Sequence, residues 1–187
     1  MEKINIGNNG FVYPMPVALL GTKFEEKVNF MAIGWVMRAS INPPLLSVSV
    51  NKNHFTNKAI HENKTFSVNF PNLEMIEKVD YCGLVSGKNE DKSKLFKLYY
   101  GQLKTAPLIE ECPISMECKL HDVYQMPTHN LFIGEIVSTF TEEKYLKDGK
   151  PDIKKINPAV LTMPDNNYWK IGENIGKAWN IGKKFRK

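Results

Sequence analysis

Arginine is nearly missing from this chain: of 25 basic residues among 187, only Arg38 and Arg186 carry a guanidinium. Proteins that read nucleic acids cluster arginine and interleave it with aromatics. Here the lysines are scattered with acids between them, so no nucleic-acid partner is expected. The formal charge of +5 suits a small anionic ligand. Cysteine is scarce too. Cys82, Cys112 and Cys118 cannot all pair, which excludes a disulfide framework. No apolar run approaches the roughly 18 residues of a membrane span. The opening Met1–Gly7 lacks an apolar signal core, and a cytoplasmic protein with no membrane contact is expected. With no repeat, low-complexity stretch or long linker, the chain reads as one domain over 1–187.

Several standard chemistries are also missing. No G-x-G-x-x-G follows a strand, so an ordinary dinucleotide unit is excluded. Gly83-Leu-Val-Ser-Gly87-Lys88 is one residue short of a phosphate loop, and Asn89 stands where that loop needs a hydroxyl. Cys112, Cys118 and His121 lack the tight spacing and fourth ligand of a zinc site, and no metal is expected. No local signature of an activated serine or cysteine nucleophile is present.

What remains is mostly β-strand. Residues 17–22, 28–36 and 65–70 are short apolar runs with β-branched and aromatic content. Leu46, Val48 and Val50 alternate with Ser47 and Ser49, giving one buried face and one small polar face. Pro43-Pro44 forces a turn ahead of that strand. Residues 114–121 and 131–140 form two long strands with a bend near Pro127; in the first, Ile114, Met116, Cys118 and Leu120 form an apolar face and Ser115, Glu117, Lys119 and His121 the polar one. Helical patterns are expected at Thr56–Glu62, at 91–99, and at the C-terminus through Tyr168, Ile171, Ile175 and Ala178. Gly172 and Gly176 inside that last helix would each cost about 1 kcal/mol, offset by close approach of another backbone or a planar ligand. Six or more strands with two or three short helices define a β-barrel with helical additions.

The chemistry concentrates in the first strand–turn–strand unit. Arg38 and Ser40 end one strand, and Asn51, Lys52, His54 and Thr56 follow the next. If neighbouring strands bring them together, they offer a fork, a point charge, hydroxyls and helix-start N–H groups to a phosphate. A solvated basic edge, with Thr56 an ordinary helix cap, accounts for the same residues equally well.

Four segments then carry a resemblance: Asn29-Phe-Met-Ala-Ile-Gly-Trp35, Ser40-Ile-Asn-Pro-Pro-Leu-Leu-Ser-Val-Ser-Val50, His129-Asn-Leu-Phe-Ile-Gly-Glu135 and Tyr168-Trp-Lys-Ile-Gly-Glu-Asn-Ile-Gly176. In this order they resemble the flavin reductase-like proteins, the FMN-binding split-barrel group, and its flavoredoxin-like members. The resemblance implies a mainly β, six-stranded, Greek-key-like split barrel that forms a homodimer and binds FMN. It implies Ala32, Ile33, Gly34, Trp35 and Met37 along the flavin. It further implies Arg38, Ala39 and Ser40 at the ribityl–phosphate end, completed by Asn51, Lys52, His54 and Thr56. His129 would lie near the reactive face, and Tyr168 and Trp169 would reach a partner's flavin. Many relatives have Asp-Pro-Pro and Asp-His where this chain has Asn42-Pro-Pro and Thr128-His129, a departure that bears on use of NADH or NADPH rather than on flavin. Two other readings are an FMN carrier reduced by a protein such as ferredoxin, and a non-redox flavin- or polyanion-binding module.

Overall fold

The computed structural model describes residues 1–186. Its centre is a seven-stranded antiparallel sheet built from β1 (Ala18–Phe24), β2 (Lys27–Ile33), β3 (Val36–Ser40), β4 (Leu45–Asn51), β5 (Thr65–Phe70), β6 (Ile114–Gln125) and β7 (His129–Thr141). The strands lie in the order β2-β1-β5-β6-β7-β4-β3, so the sequence-adjacent strands β2 and β3 form the two edges. The chain passes from one edge to the other through Gly34 and Trp35 alone, and the Trp35 carbonyl accepts from Ser49 N–H at 3.0 Å. The expected mainly β split-barrel class is what the structure shows, with seven strands in one sheet where the resemblance implies six.

Alternation explains the curl. Leu46, Val48 and Val50 of β4, Phe66 and Val68 of β5, and Phe132 of β7 point inward to one buried cluster. β7 pairs with both β4 and β6, and its ladder to β6 shifts register at Ile133/Gly134 and again at Ile136/Ser138. Such bulges bend a strand and tighten its twist. At the first of them a side chain on Gly134 would collide with the Phe66 ring, so the close approach requires glycine.

A second core lies outside the barrel, where α2 (Ile76–Leu84) packs Val79 and Cys82 against Leu19 and Phe30. α1 (Phe55–Asn63) follows β4 and ends at Lys64 in the left-handed conformation. A smaller sheet joins Met15–Pro16, β8 (Ala159–Thr162) and β9 (Asn167–Lys170). Among the described residues no helix is long and apolar enough to cross a membrane.

Three expectations are corrected. The C-terminal helix does not form: Tyr168 and Trp169 belong to β9, paired with β8, and the chain from Ile171 to Lys177 has no regular structure. A helix this short is marginal without an intramolecular partner, and two glycines weaken it further. The helix over 91–99 shrinks to a single 3-10 turn, Lys92–Leu95, because the Asp91 carboxylate accepts from Ser93 N–H and Phe96 turns extended. Ser115 and Glu117, assigned to a polar strand face, are both fully buried. The Glu117 carboxylate there accepts from the backbone N–H groups of Gln102 and Leu103, at 3.1 and 2.8 Å.

Candidate functional site

The ladders decide which of the expected site residues meet. Arg38 sits opposite Leu46 and Ser40 opposite Leu45, at the turn end of β4. Asn51 ends the same strand opposite His129, and Lys52 follows. Six strand steps of about 3.3 Å put these groups roughly 20 Å apart. Within one chain the cluster therefore splits: Arg38, Ala39 and Ser40 lie on an edge strand, away from Lys52, His54 and Thr56. Ile33 also departs from expectation, since its side chain faces the barrel core. Ala32 faces outward against the α2 layer instead. Gly34 lies beside Met15, Pro16 and Leu161.

The far end of β4 is where groups converge. His129 opens β7, and its ring lies 4.9 Å from that of Trp35, tilted by 36°. Thr128 Oγ1 is 2.8 Å from His129 Nδ1, and the Thr128 carbonyl accepts from Lys52 N–H at 3.0 Å. Asn51 Oδ1 accepts from Asn53 N–H at 2.9 Å, which shapes the turn into α1. His54 caps α1 in extended conformation without a side-chain bond to the helix, and its Nδ1 instead lies 3.1 Å from Met31 Sδ. The first turn of α1 thus presents backbone N–H groups with no capping side chain.

Beside this helix start is a cavity of about 240 Å³ lined by Asn29, Met31, His54, Thr56, the 82–87 segment and Lys92. Its chemistry is that of an anion site. Lys92 is only 2% exposed, and its ammonium donates to the carbonyls of Cys82 and Val85 at 3.0 and 3.1 Å. Among the described residues no carboxylate lies within salt-bridge distance of it. Burial lowers the Lys92 pKa, with the neighbouring Cys82 opposing and Lys27 reinforcing that shift. Burial also pushes the Cys82 thiol up to about 11. A buried cation lacking a counter-charge is costly until an anion joins it. Asn29 donates to Thr56 Oγ1 at 2.9 Å, while its own buried Oδ1 has no partner, leaving an acceptor for a ligand group. Burial lowers the His54 pKa, with smaller contributions from His129, Lys92 and Lys88, so this imidazole titrates below its ordinary value.

A wider apolar groove of about 590 Å³ is lined by Trp35 together with Val12, Pro14, Met37, Leu131 and Met163 among others. Tyr168 and Trp169 join neither region. Tyr168 donates its hydroxyl to Asp80 at 2.9 Å, and burial with that carboxylate pushes its pKa up to about 12. Trp169 Nε1 donates to Thr162 Oγ1 at 2.9 Å. Sequence reasoning missed Asn29, Met31, Lys92 and the 83–87 loop as site residues. The glycines at 83 and 87 were the available signal, set aside because their spacing fails the phosphate-loop pattern.

The fold is thus a split barrel with a lysine-lined pocket at a helix start and an aromatic–histidine pair near the same end of β4. The flavin reductase like domain family matches residues 10–160, and the chain belongs to it. Flavoredoxin from Methanosarcina acetivorans is 54% identical, with a TM-score of 0.96 over 98% of this chain and 99% of that one. Flavoredoxin of Desulfovibrio vulgaris (Miyazaki F) is 33% identical, with a TM-score of 0.91 over 97% and 100%. An FMN-binding protein from Thermus thermophilus, solved with bound 1-cyclohex-2-enone, is 26% identical, with a TM-score of 0.82 over 95% and 99%.

Proposed function

We propose that this chain is an FMN-binding flavoprotein of the flavoredoxin type, and that the 240 Å³ pocket takes the monophosphate of the cofactor. The observation that carries the reading is Lys92, a buried ammonium without a carboxylate partner, set beside the uncapped start of α1. A phosphate dianion would supply the missing counter-charge and accept from backbone N–H groups and from the Thr56 hydroxyl. The family relationship and the flavoredoxins and FMN-binding protein it resembles support the same ligand.

Bound FMN supplies the redox chemistry, which the side chains of this pocket lack. The chain's own work is binding, orientation and exclusion of water. Met31, Trp35 and the His129 imidazole offer the apolar and polarizable surface a tricyclic ring needs. His129, held by Thr128 and tilted against the Trp35 ring, is positioned to orient an electron donor over the ring.

The donor is NADH or NADPH in this reading. Asn42-Pro-Pro and Thr128-His129, departures from the reductase pattern, favour a second one: a carrier reduced by a redox protein such as ferredoxin. Anaerobic mixing of the FMN-loaded protein with each donor separates them. Bleaching of the visible flavin band by NADH or NADPH within seconds supports the first. Bleaching only by reduced ferredoxin supports the second. A protein that binds no flavin contradicts both.

A further inference from the structure

The mixing of lysine with acid along the chain stops at residue 169. Up to that point 19 basic and 19 acidic residues cancel, while residues 170–187 hold the other six bases against one acid, Glu173. The whole formal charge of +5 therefore belongs to this one segment. A neutral body with a cationic segment carries an electric dipole, which turns an approaching anionic partner toward that segment.

The cations are available to such a partner. Lys170, Lys177, Lys183, Lys184 and Arg186 are all exposed, and among the described residues none of them forms a salt bridge. Lys147 and Lys154 flank the stretch Ile171–Gly176 and add to the same field. Asp152, the acid between them, is engaged as a helix cap, accepting from the N–H groups of Lys154 and Lys155 at 2.9 and 3.1 Å. The segment is also rooted beside the proposed flavin pocket. Tyr168, two residues ahead of it, donates to Asp80 of α2 at 2.9 Å, and the 82–87 stretch just beyond lines that pocket.

Nucleic acid, anionic lipid and acidic protein all carry the charge to answer it. Nucleic-acid readers rely on the arginine fork, and Arg186 is the one guanidinium in the segment. A segment that lies on lipid folds as an amphipathic helix. Here Ile171–Lys177 has no regular structure, only Ile181–Phe185 forms a 3-10 turn, and Gly172, Gly176 and Gly182 oppose a longer helix. An acidic protein asks for no such order, because electron-transfer encounters are small and guided by charge. We propose that Lys170, Lys177, Lys183, Lys184 and Arg186 form the docking surface for an acidic electron-transfer protein that donates to the flavin beside the α2 wall. Each encounter oxidises one reduced partner by one electron, so two partners, with protons from solvent, reduce one flavin. The inference rests on the second reading above, reduction by a redox protein.

The test uses the full-length chain and, as probe, a ferredoxin of net negative charge. Oxidised ferredoxin is titrated calorimetrically, so docking is read without any flavin reduction. Binding at about 20 mM salt is expected to weaken at least about 10-fold by about 200 mM, as screening shortens the reach of exposed charges. Lys183→Gln, Lys184→Gln and Arg186→Gln together should weaken low-salt binding at least about 10-fold. The same loss of charge on the body, by Lys97→Gln, Lys104→Gln and Lys119→Gln, should leave binding at the parent value. With FMN loaded, reduced ferredoxin should reduce the segment variant at least about 10-fold more slowly than the parent. Photoreduced deazariboflavin, a small neutral donor, should reduce both at equal rates. Equal ferredoxin binding by parent and segment variant overturns the proposal, as does an equal loss in the body variant. Retention of the parent on phosphatidylglycerol vesicles or duplex DNA, with no binding to ferredoxin, overturns it as well. A chain that takes up FMN but ignores ferredoxin removes the docking surface and leaves the flavin reading standing.

Discussion

Lys92 shows how far a single side chain can mislead and then inform. In sequence it is one of many lysines in a helical-looking stretch, the kind of residue that belongs on a wet face. The structure turns it inward to close the end of α2 and the wall of the pocket. If it pairs with phosphate, Lys92→Gln loses a charged hydrogen bond of about 1.5–3 kcal/mol, roughly a 10- to 150-fold loss of FMN affinity. Riboflavin, which lacks the phosphate, should bind parent and variant alike in a fluorescence titration. Arg38 makes the opposite case. Sequence adjacency placed it in the phosphate site, but the β3–β4 register carries it to the other end of the strand. Arg38→Ala is expected to leave FMN affinity within about 0.5 kcal/mol by the same titration, as for an exposed residue away from the site.

At the scale of elements, β4 and β5 were legible because strict alternation and the Pro-Pro turn leave the chain little choice. α2 was not, since it sits over the barrel wall and its apolar positions answer to Leu19 and Phe30 rather than to a clear period of its own. The supposed C-terminal helix failed for the reverse reason: its spacing was periodic but had nothing in its own chain to pack against. β7 carries a tight steric constraint at Gly134. Gly134→Ala drives a methyl group into the Phe66 ring and is expected to lower stability by about 1–3 kcal/mol in urea unfolding. A drop below about 0.5 kcal/mol would show that the bulge gives way.

Two histidines of α1 also set a pH dependence. His54, at the start of α1, and His61, inside it, both have pKa values lowered chiefly by burial. The unfolded chain then binds more protons than the native one between the lowered values and about 6.5. Stability from these groups is full above about pH 6.5 and is lost as pH falls through the native pKa values. His61 Nε2 lies 2.9 Å from Asn130 Nδ2, so the neutral ring can accept there and protonation breaks that bond. His61→Gln should flatten the acid limb of a melting-temperature profile. An unaltered slope would remove His61 from it.

For the whole molecule, barrel, edge strands and pocket form one design. The four sequence segments pointed to the right family. Of the candidate residues they and the turn after β4 supplied, His129, Lys52, His54 and Thr56 lie near one end of β4. The segments could not locate the 83–92 wall, because it reaches the pocket only through tertiary packing of α2 on β2. That wall and the start of α1 together enclose the proposed phosphate. Equilibrium titration with FMN and with riboflavin, followed by flavin fluorescence, tests this most directly. One FMN per chain, held at least about 10-fold tighter than riboflavin, is the expected result. Equal affinity for the two, or no binding of either, would contradict it.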